Sequence, residues 1–316
     1  MTRVAAVDCG TNSIRLLIAD RDDDGTLHDV AREMRVVRLG QGVDATGRLA
    51  PDAIERTRVA LDAYVSMMAD AGVSVGRMVA TSATRDATNR DEFFAMTREV
   101  LGRVVPGAEA EVITGDEEAR LSYAGAVAGF TGDPAPFLVV DLGGGSTELV
   151  LGEAGEVDAA YSADIGCVRI TERALPSDPP TAAEVAAARE FASERLAPAF
   201  AAVPLERTRT WVGVAGTMTT IAAVAKNLSR YDPDEVDRSR VSLARLREVC
   251  EELIAMPRAE RAKLGPMHPG RVDVIGGGAL VTLVLADELE RRAGIDELVV
   301  SEHDILDGIA LSVHAH

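Results

Sequence analysis

The chain of 316 residues is predicted to be an α/β protein of two duplicated domains, each a mixed sheet covered by helices. The length is about twice that of a typical single domain. The stretch 5–19, AAVDCGTNSIRLLIA, lines up without a gap with 138–152, LVVDLGGGSTELVLG, so that Asp8, Gly10, Ser13 and Leu16 meet Asp141, Gly143, Ser146 and Leu149. In each half, strand-like runs come first and then alternate with helix-like runs. The order βββαβαβ, read twice, belongs to mixed sheets with helices on their faces.

Each duplicated stretch reads as an aliphatic strand, a Gly-containing turn and a second aliphatic strand, a β-hairpin that opens its sheet. A turn signal closes each one, Asp23, Asp24 and Gly25 in the first half and Ala154 and Gly155 in the second. A third strand is expected near 31–39 and again near 159–165. A helix is expected over 51–70, with Pro51 at its start and Ile54, Leu61, Val65 and Met68 near one face. Its counterpart is expected over 182–197. Strand, loop and helix then follow in both halves, RMVATSATRDATN from Arg77 and TWVGVAGTMTTIA from Thr210. A fourth strand is expected from Glu109 (EAEVIT) and from Arg271 (RVDVIG), the latter running into Gly276, Gly277, Gly278 and a helix. The stretch 129–136, rich in Pro and Gly, is the expected linker. The expected domains are therefore 1–128 and 129–300, with 301–316 crossing back to the first. A cleft is expected between them, with the chemistry at the turns facing it.

Composition narrows the function classes. The formal net charge of -18, from 33 basic and 51 acidic residues, argues against nucleic acid or an anionic membrane held by bulk electrostatics. Only two lysines occur, Lys226 and Lys263, so arginine supplies nearly all positive charge. No apolar run approaches the roughly 18 residues of a membrane span, and MTRVAAVDCG reaches an acidic, Gly-containing motif too early for a signal peptide. A cytoplasmic location is expected. The cysteines, Cys9, Cys167 and Cys250, are widely spaced and form no C-x-x-C pair, so reduced, buried thiols are expected. The five histidines, His28, His268, His303, His314 and His316, show no H-x-x-x-H spacing and indicate no histidine metal site. His303-Asp304 reads as a helix start rather than as a metal dipeptide.

Asp8-x-Gly10-Thr11-Asn12-Ser13 and Asp141-x-Gly143-Gly144-Gly145-Ser146 each place a carboxylate at a strand end, followed by glycine and small polar residues. Backbone amides in such a turn can face a bound anion. The hydroxyls of Thr11, Ser13, Ser146 and Thr147 can donate to phosphate oxygens, and the aspartates can orient water or hold Mg²⁺. One such turn is an ordinary hairpin turn; two in register point to a phosphate cradle. Arg15, just past the first turn, and Arg85, at the end of TSATR, are candidates to grip phosphoryl oxygens. Gly216 and Thr217 match Ser82, Ala83, Thr84 and Arg85 as the corresponding contact in the second half. Gly276 to Gly278 suit close packing and close ligand approach equally. Neither a P-loop nor a Rossmann fingerprint is present. Thr114 and Glu117 form a capping-box pattern, which gives Glu117 a structural role.

The paired hairpins resemble the actin and sugar-kinase superfamily of ribonuclease H-like domains. Within it, the chain resembles the exopolyphosphatase and guanosine-pentaphosphate phosphatase family. Six motifs carry the resemblance in order: DCGTNSIRLLIAD at 8–20, ATSATRDATN at 80–89, VITGDEEARL at 112–121, DLGGGSTELVLG at 141–152, GCVRITER at 166–173 and GVAGTMTT at 213–220. The resemblance implies hydrolysis of the terminal phosphoanhydride of inorganic polyphosphate or, as the alternative, of guanosine pentaphosphate. It places the water-activating carboxylate at Glu118 and gives Asp141 and Glu148 the orientation of water or the binding of Mg²⁺. It implies a homodimer, and the chain resembles the short, two-domain form of the family. A sugar or carboxylate kinase and a nucleotide-regulated binding or filament protein are the competing classes. Glu118 separates the hydrolase from the kinase.

Overall fold

A computed structural model describes residues 1–23 and 25–313. Asp24 of the first turn signal, and His314 and His316 among the histidines, lie outside the described residues. The chain divides into two compact units, one of Met1–Gly125 with the stretch from Ile305 onward, the other of Ala126–Asp304.

The first unit opens with three antiparallel strands, β1 (Thr2–Cys9), β2 (Ser13–Arg21) and β3 (Leu27–Val36). It continues with α1 (Val43–Thr46), α2 (Pro51–Asp70), β4 (Val75–Ala80), α3 (Ser82–Asp86), α4 (Arg90–Leu101), β5 (Ala110–Val112) and α5 (Gly115–Val127). The sheet order is β3-β2-β1-β4-β5, with β1, β4 and β5 parallel. The helix expected over 51–70 has those bounds, with proline in its first turn and Leu61, Val65 and Met68 buried. β3 begins four residues before its expected start, because it is an edge strand with polar side chains on both faces and so lacks an apolar signature.

The second unit repeats the opening with β6 (Phe137–Leu142), β7 (Thr147–Glu153) and β8 (Glu156–Ala163). Then come α6 (Cys167–Ala174), α7 (Ala182–Ala202), β9 (Thr210–Val214), α8 (Ala215–Ala225), α9 (Pro233–Val236), β10 (Arg240–Ser242), α10 (Leu243–Ala255), α11 (Arg258–Arg261), α12 (Ile275–Ala293) and β11 (Glu297–Val300). The order β10-β11-β9-β6-β7-β8 reproduces the first sheet with one extra edge strand, β10. Thr181 and Glu184 form a reciprocal capping box at the start of α7, which runs on through Pro198 beyond its expected end. α13 (Ile305–Ser312) packs with Val4, Ala6, Leu17, Ala19 and Val79 of the first sheet.

Two expectations are corrected here. RVDVIG is not a strand: Pro269–Arg271 is a 3₁₀ turn and Ile275 already begins α12, so β11 is the fourth strand, parallel to β9. A short apolar run does not distinguish a strand from the buried start of a helix. The triple glycine lies inside that helix and serves packing. A Cβ at Gly277 would sit 2.4 Å from the Thr171 hydroxyl, and one at Gly278 would sit 2.5 Å from Thr217 Cγ2. The loop expected between β9 and the next helix is likewise absent, since Ala215, at φ 68°, turns the chain straight into α8.

Candidate active site

In a sheet with parallel inner strands, the loops after those strands gather at one edge, where ligands commonly bind. Both units have this edge. In the first, Thr81 N–H donates to Cys9 O and Ile113 N–H to Ala80 O, so the segments after β1, β4 and β5 start side by side. In the second, Ser301 N–H donates to Gly213 O, and the Asp141 end of β6 pairs with Val214 at the end of β9.

The two hairpin turns are built alike. Gly10 N–H closes the first on Ser13 O at 2.9 Å, and Gly143 N–H closes the second on Ser146 O at 3.1 Å. The carbonyl side of each turn is tied down by the chain that follows the third strand. Asn12 O accepts from Val37 and Arg38, and Thr11 O from Gly40. Gly143 O accepts from Cys167, Gly144 O from Val168 and Arg169, and Gly145 O from the Arg169 side chain at 2.9 Å. Among the described residues the amides of Gly144, Gly145 and Ser146 have no acceptor. With carbonyls spent inward, such a turn presents N–H groups outward, as anion-binding concavities do. Close packing requires glycine at two flanking positions. A Cβ on Gly166 would lie 2.5 Å from Gly144 C and O, and one on Gly40 would lie 2.3 Å from Thr11 Cγ2.

The hairpins differ at one register position. Asp8 faces Arg15 across β1 and β2, and Asp141 faces Glu148 across β6 and β7. In the first hairpin the Arg15 guanidinium lies on Asp8, with Nη2 at 2.7 Å and Nε at 3.0 Å from Oδ2. In the second, two buried carboxylates share the position, and Glu148 Oε1 accepts from Ser162 Oγ at 2.6 Å. Opposed carboxylates suit a hard cation. Among the described residues no group of three or more His, Cys, Asp or Glu could hold a metal, so an all-protein cage is absent there. Mg²⁺ fits the pair, since it keeps several waters and usually takes only one or two carboxylates beside substrate phosphates.

The other expected residues of the first unit converge at its sheet edge. Thr11 Oγ1 and Ser82 Oγ lie 2.9 Å apart, which joins the turn to the start of α3. Thr84 is fully buried, and its hydroxyl has no partner. Arg85 Nη1 donates to Ile113 O and to Glu118 Oε2, each at 2.9 Å. Its other two guanidinium nitrogens have no partner among the described residues, so the fork keeps a face for an anion. Glu118, on the first turn of α5, is 7% exposed. Glu117 makes half of the expected capping box: its N–H donates to Thr114 Oγ1, while its carboxylate turns to Arg77 Nη2 at 2.6 Å. Both arginines thus rest on carboxylates.

In the second unit Gly216 and Thr217 occupy the first turn of α8, with Thr217 buried. Arg271, which sequence reasoning assigned to a strand start, lies against Gly216; a Cβ there would meet Nη2 at 2.3 Å. Its Nη1 also donates to Thr220 Oγ1 at 3.0 Å. Nothing in the local periodicity of MHPGRVDVI marks it. Arg169, in the motif GCVRITER, braces the second turn through its bond to Gly145 O, a role that the motif itself does not indicate. The three cysteines are free and buried, and burial pushes the Cys167 thiol up to about 11, which leaves no thiolate nucleophile beside the turn.

Comparison with known proteins follows the same outline. Residues 17–313 match the model of the Ppx/GppA phosphatase family. The chain belongs to the Ppx/GppA phosphatase family. It is 64% identical to Exopolyphosphatase 2 of Mycobacterium tuberculosis over 99% of both chains. A crystal structure of the Aquifex aeolicus member of the family superposes with a TM-score of 0.80 at 35% identity, covering 98% of this chain and 97% of that one. An exopolyphosphatase from Cytophaga hutchinsonii gives a TM-score of 0.84 at 25% identity, covering 97% and 96%. The mixed sheets and duplicated hairpins are therefore those of this family.

Proposed function

We propose that the protein is an exopolyphosphatase: it hydrolyses the terminal phosphoanhydride of inorganic polyphosphate and releases orthophosphate, with Glu118 as general base toward water. The observation that carries this reading is the buried Glu118 carboxylate, held 2.9 Å from Arg85 at the sheet edge that also bears the Thr11–Ser82 contact. The likeness to Exopolyphosphatase 2 supports the substrate class.

Phosphoryl transfer needs positioned donors, charge neutralisation and an in-line nucleophile rather than covalent help from protein. The turns 10–13 and 143–146, with the hydroxyls of Ser82, Thr84 and Thr217 and the N-terminus of α8 at Gly216, bind phosphate oxygens. Arg85 gives its unpaired face to a phosphoryl oxygen while its Nη1 steadies Glu118. Glu118 accepts a proton from the attacking water. Asp141 and Glu148, opposed across β6 and β7, would hold Mg²⁺, and the ion would supply neutralisation of phosphate charge. Asp8 holds the Arg15 guanidinium in place beside the first turn.

The net charge of -18 repels a polyanion at long range, so activity depends on these local cations and on the divalent ion. The reading carries a cytoplasmic site of action, with which the three free cysteines agree. No helix among the described residues is long and apolar enough to cross a membrane. A homodimer belongs to the same reading, and light scattering of the purified protein tests it.

The test is orthophosphate release by purified protein from short and long polyphosphate, guanosine pentaphosphate and ATP. Wild type releases phosphate from polyphosphate, and Glu118→Gln lowers kcat by about 10² to 10⁴. Equal turnover in Glu118→Gln would reject the assigned base. Turnover confined to guanosine pentaphosphate would reject the substrate.

A further inference from the structure

The helix that carries Glu118 meets the last helix of the chain at backbone distance. Gly308, in the middle of α13, lies on α5 so closely that a Cβ there would sit 1.9 Å from Leu121 O and 2.6 Å from Leu121 C. These are backbone atoms, so the obstruction cannot be relieved by a change of rotamer. Leu121 stands three residues after Glu118, one turn along the same side of α5.

α13 is itself held firmly against the first sheet. Ile305, Leu306, Ile309, Ala310 and Val313 are buried in the small core under β1, β2 and β4. Asp307 takes a forked pair of bonds from Arg32 of β3, at 2.6 and 3.1 Å. Arg21 of β2 donates to the carbonyls of Leu311 and Val313 at the end of the helix. Arg77 of β4 joins both helices at once: Nη1 donates to Ser312 Oγ at 3.0 Å, and Nη2 to Glu117 Oε1 at 2.6 Å, the residue beside Glu118. The last helix is a fixed shelf, and the first two turns of α5 are tied to it, at Glu117 through Arg77 and at Leu121 by direct backbone contact.

We infer that Gly308 is a positioning residue for Glu118: the absence of its side chain sets how deeply α5 sits on α13, and with it the place of the carboxylate against Arg85. The inference rests on the reading of Glu118 as the base. An alanine at 308 must open the crossing by about 1.5 Å to restore ordinary contact with the Leu121 carbonyl. Leu121 is only three residues, about 4.5 Å of helix rise, from Glu118, so the displacement reaches the first turn. The phosphate turns, on other segments, keep their places. The signature is a loss in kcat with KM preserved.

The experiment uses the full chain, with polyphosphate as substrate and Mg²⁺ present. Initial rates give kcat and KM for wild type, Gly308→Ala, Arg77→Gln, Arg77→Lys and Glu118→Gln, and circular dichroism melting shows which variants are folded at the assay temperature. Gly308→Ala is expected to lose about 10²-fold in kcat, as a misplacement near 1 Å does, with KM within about twofold. Arg77→Gln is expected to lose about tenfold with the same split, and Arg77→Lys, which keeps a cation for Glu117, to recover part of it. A folded Gly308→Ala with kcat within about twofold of wild type, or with its loss in KM, would overturn the inference. Should Gly308→Ala not fold, Arg77→Gln decides on the same criterion. Glu118→Gln separates the two levels: if it turns over normally, the base reading fails and the positioning role falls with it. If it is inactive while Gly308→Ala is unaffected, only the positioning role falls.

Discussion

Gly166→Ala is the sharpest perturbation of the second hairpin turn, because it adds one methyl group and removes no functional atom. The new Cβ would lie 2.5 Å from Gly144 C and O and 2.6 Å from Gly143 O, about 0.9 Å short of ordinary contact. The turn cannot move alone, since its carbonyls accept from Cys167, Val168 and Arg169 just beyond the substituted residue. Opening the contact stretches those bonds, each worth about 1 kcal/mol net, and carries away the amides of Gly144, Gly145 and Ser146. Overpacking of this kind costs about 1–3 kcal/mol in stability. The functional cost is larger, because a phosphate cradle displaced by nearly 1 Å loses about 10²-fold in kcat/KM. Steady-state orthophosphate release from polyphosphate, on protein shown by circular dichroism to be folded, measures it. A folded Gly166→Ala with kcat/KM within about threefold of wild type would refute the assignment of the turn as a phosphate contact.

The opposed carboxylates make a prediction about metal. Ser162→Ala removes the hydroxyl on Glu148 Oε1 and is expected to raise the half-saturating Mg²⁺ concentration about tenfold, with Glu148→Gln raising it further; an Mg²⁺ titration of the rate that leaves both unchanged would take the ion away from this pair. Thr181→Ala breaks the reciprocal capping box of α7 and is expected to lower the stability of the second unit by about 1 kcal/mol. Urea unfolding followed by the fluorescence of Trp211, the one tryptophan and buried in that unit's core, reads it, and an unshifted midpoint counts against the cap.

Much of the architecture was legible because the duplicated hairpins are aliphatic on both strands and buried on both faces, as in β6 and β7. Such runs repeat visibly in sequence. The third strands were placed late because β3 and β8 are edge strands, whose side chains alternate little. The fourth strand of the second unit was misplaced for a different reason. ELVV at β11 is only four residues, and the apolar start of α12 imitates a strand better than the strand does. At the site, the identity of Glu118, Arg85 and the two turns could be named from motifs, but their bonding could not. That Arg15 lies on Asp8 while Asp141 faces Glu148 follows from strand register; the ungapped alignment equates Arg15 with Glu148 but does not say which residue faces either of them across its hairpin. Arg271 over Gly216 is a contact across 55 positions of sequence and left no local trace.

Everything in the proposed chemistry converges on water attacking the terminal phosphorus under the direction of Glu118. Hydrolysis of polyphosphate in water enriched in oxygen-18, with mass analysis of both products, tests this most directly. The account predicts that each released orthophosphate carries a single solvent oxygen, that the shortened chain carries none, and that Glu118→Gln slows the incorporation by about 10² or more. Label found in the shortened chain, or incorporation at the wild-type rate in Glu118→Gln, would contradict it.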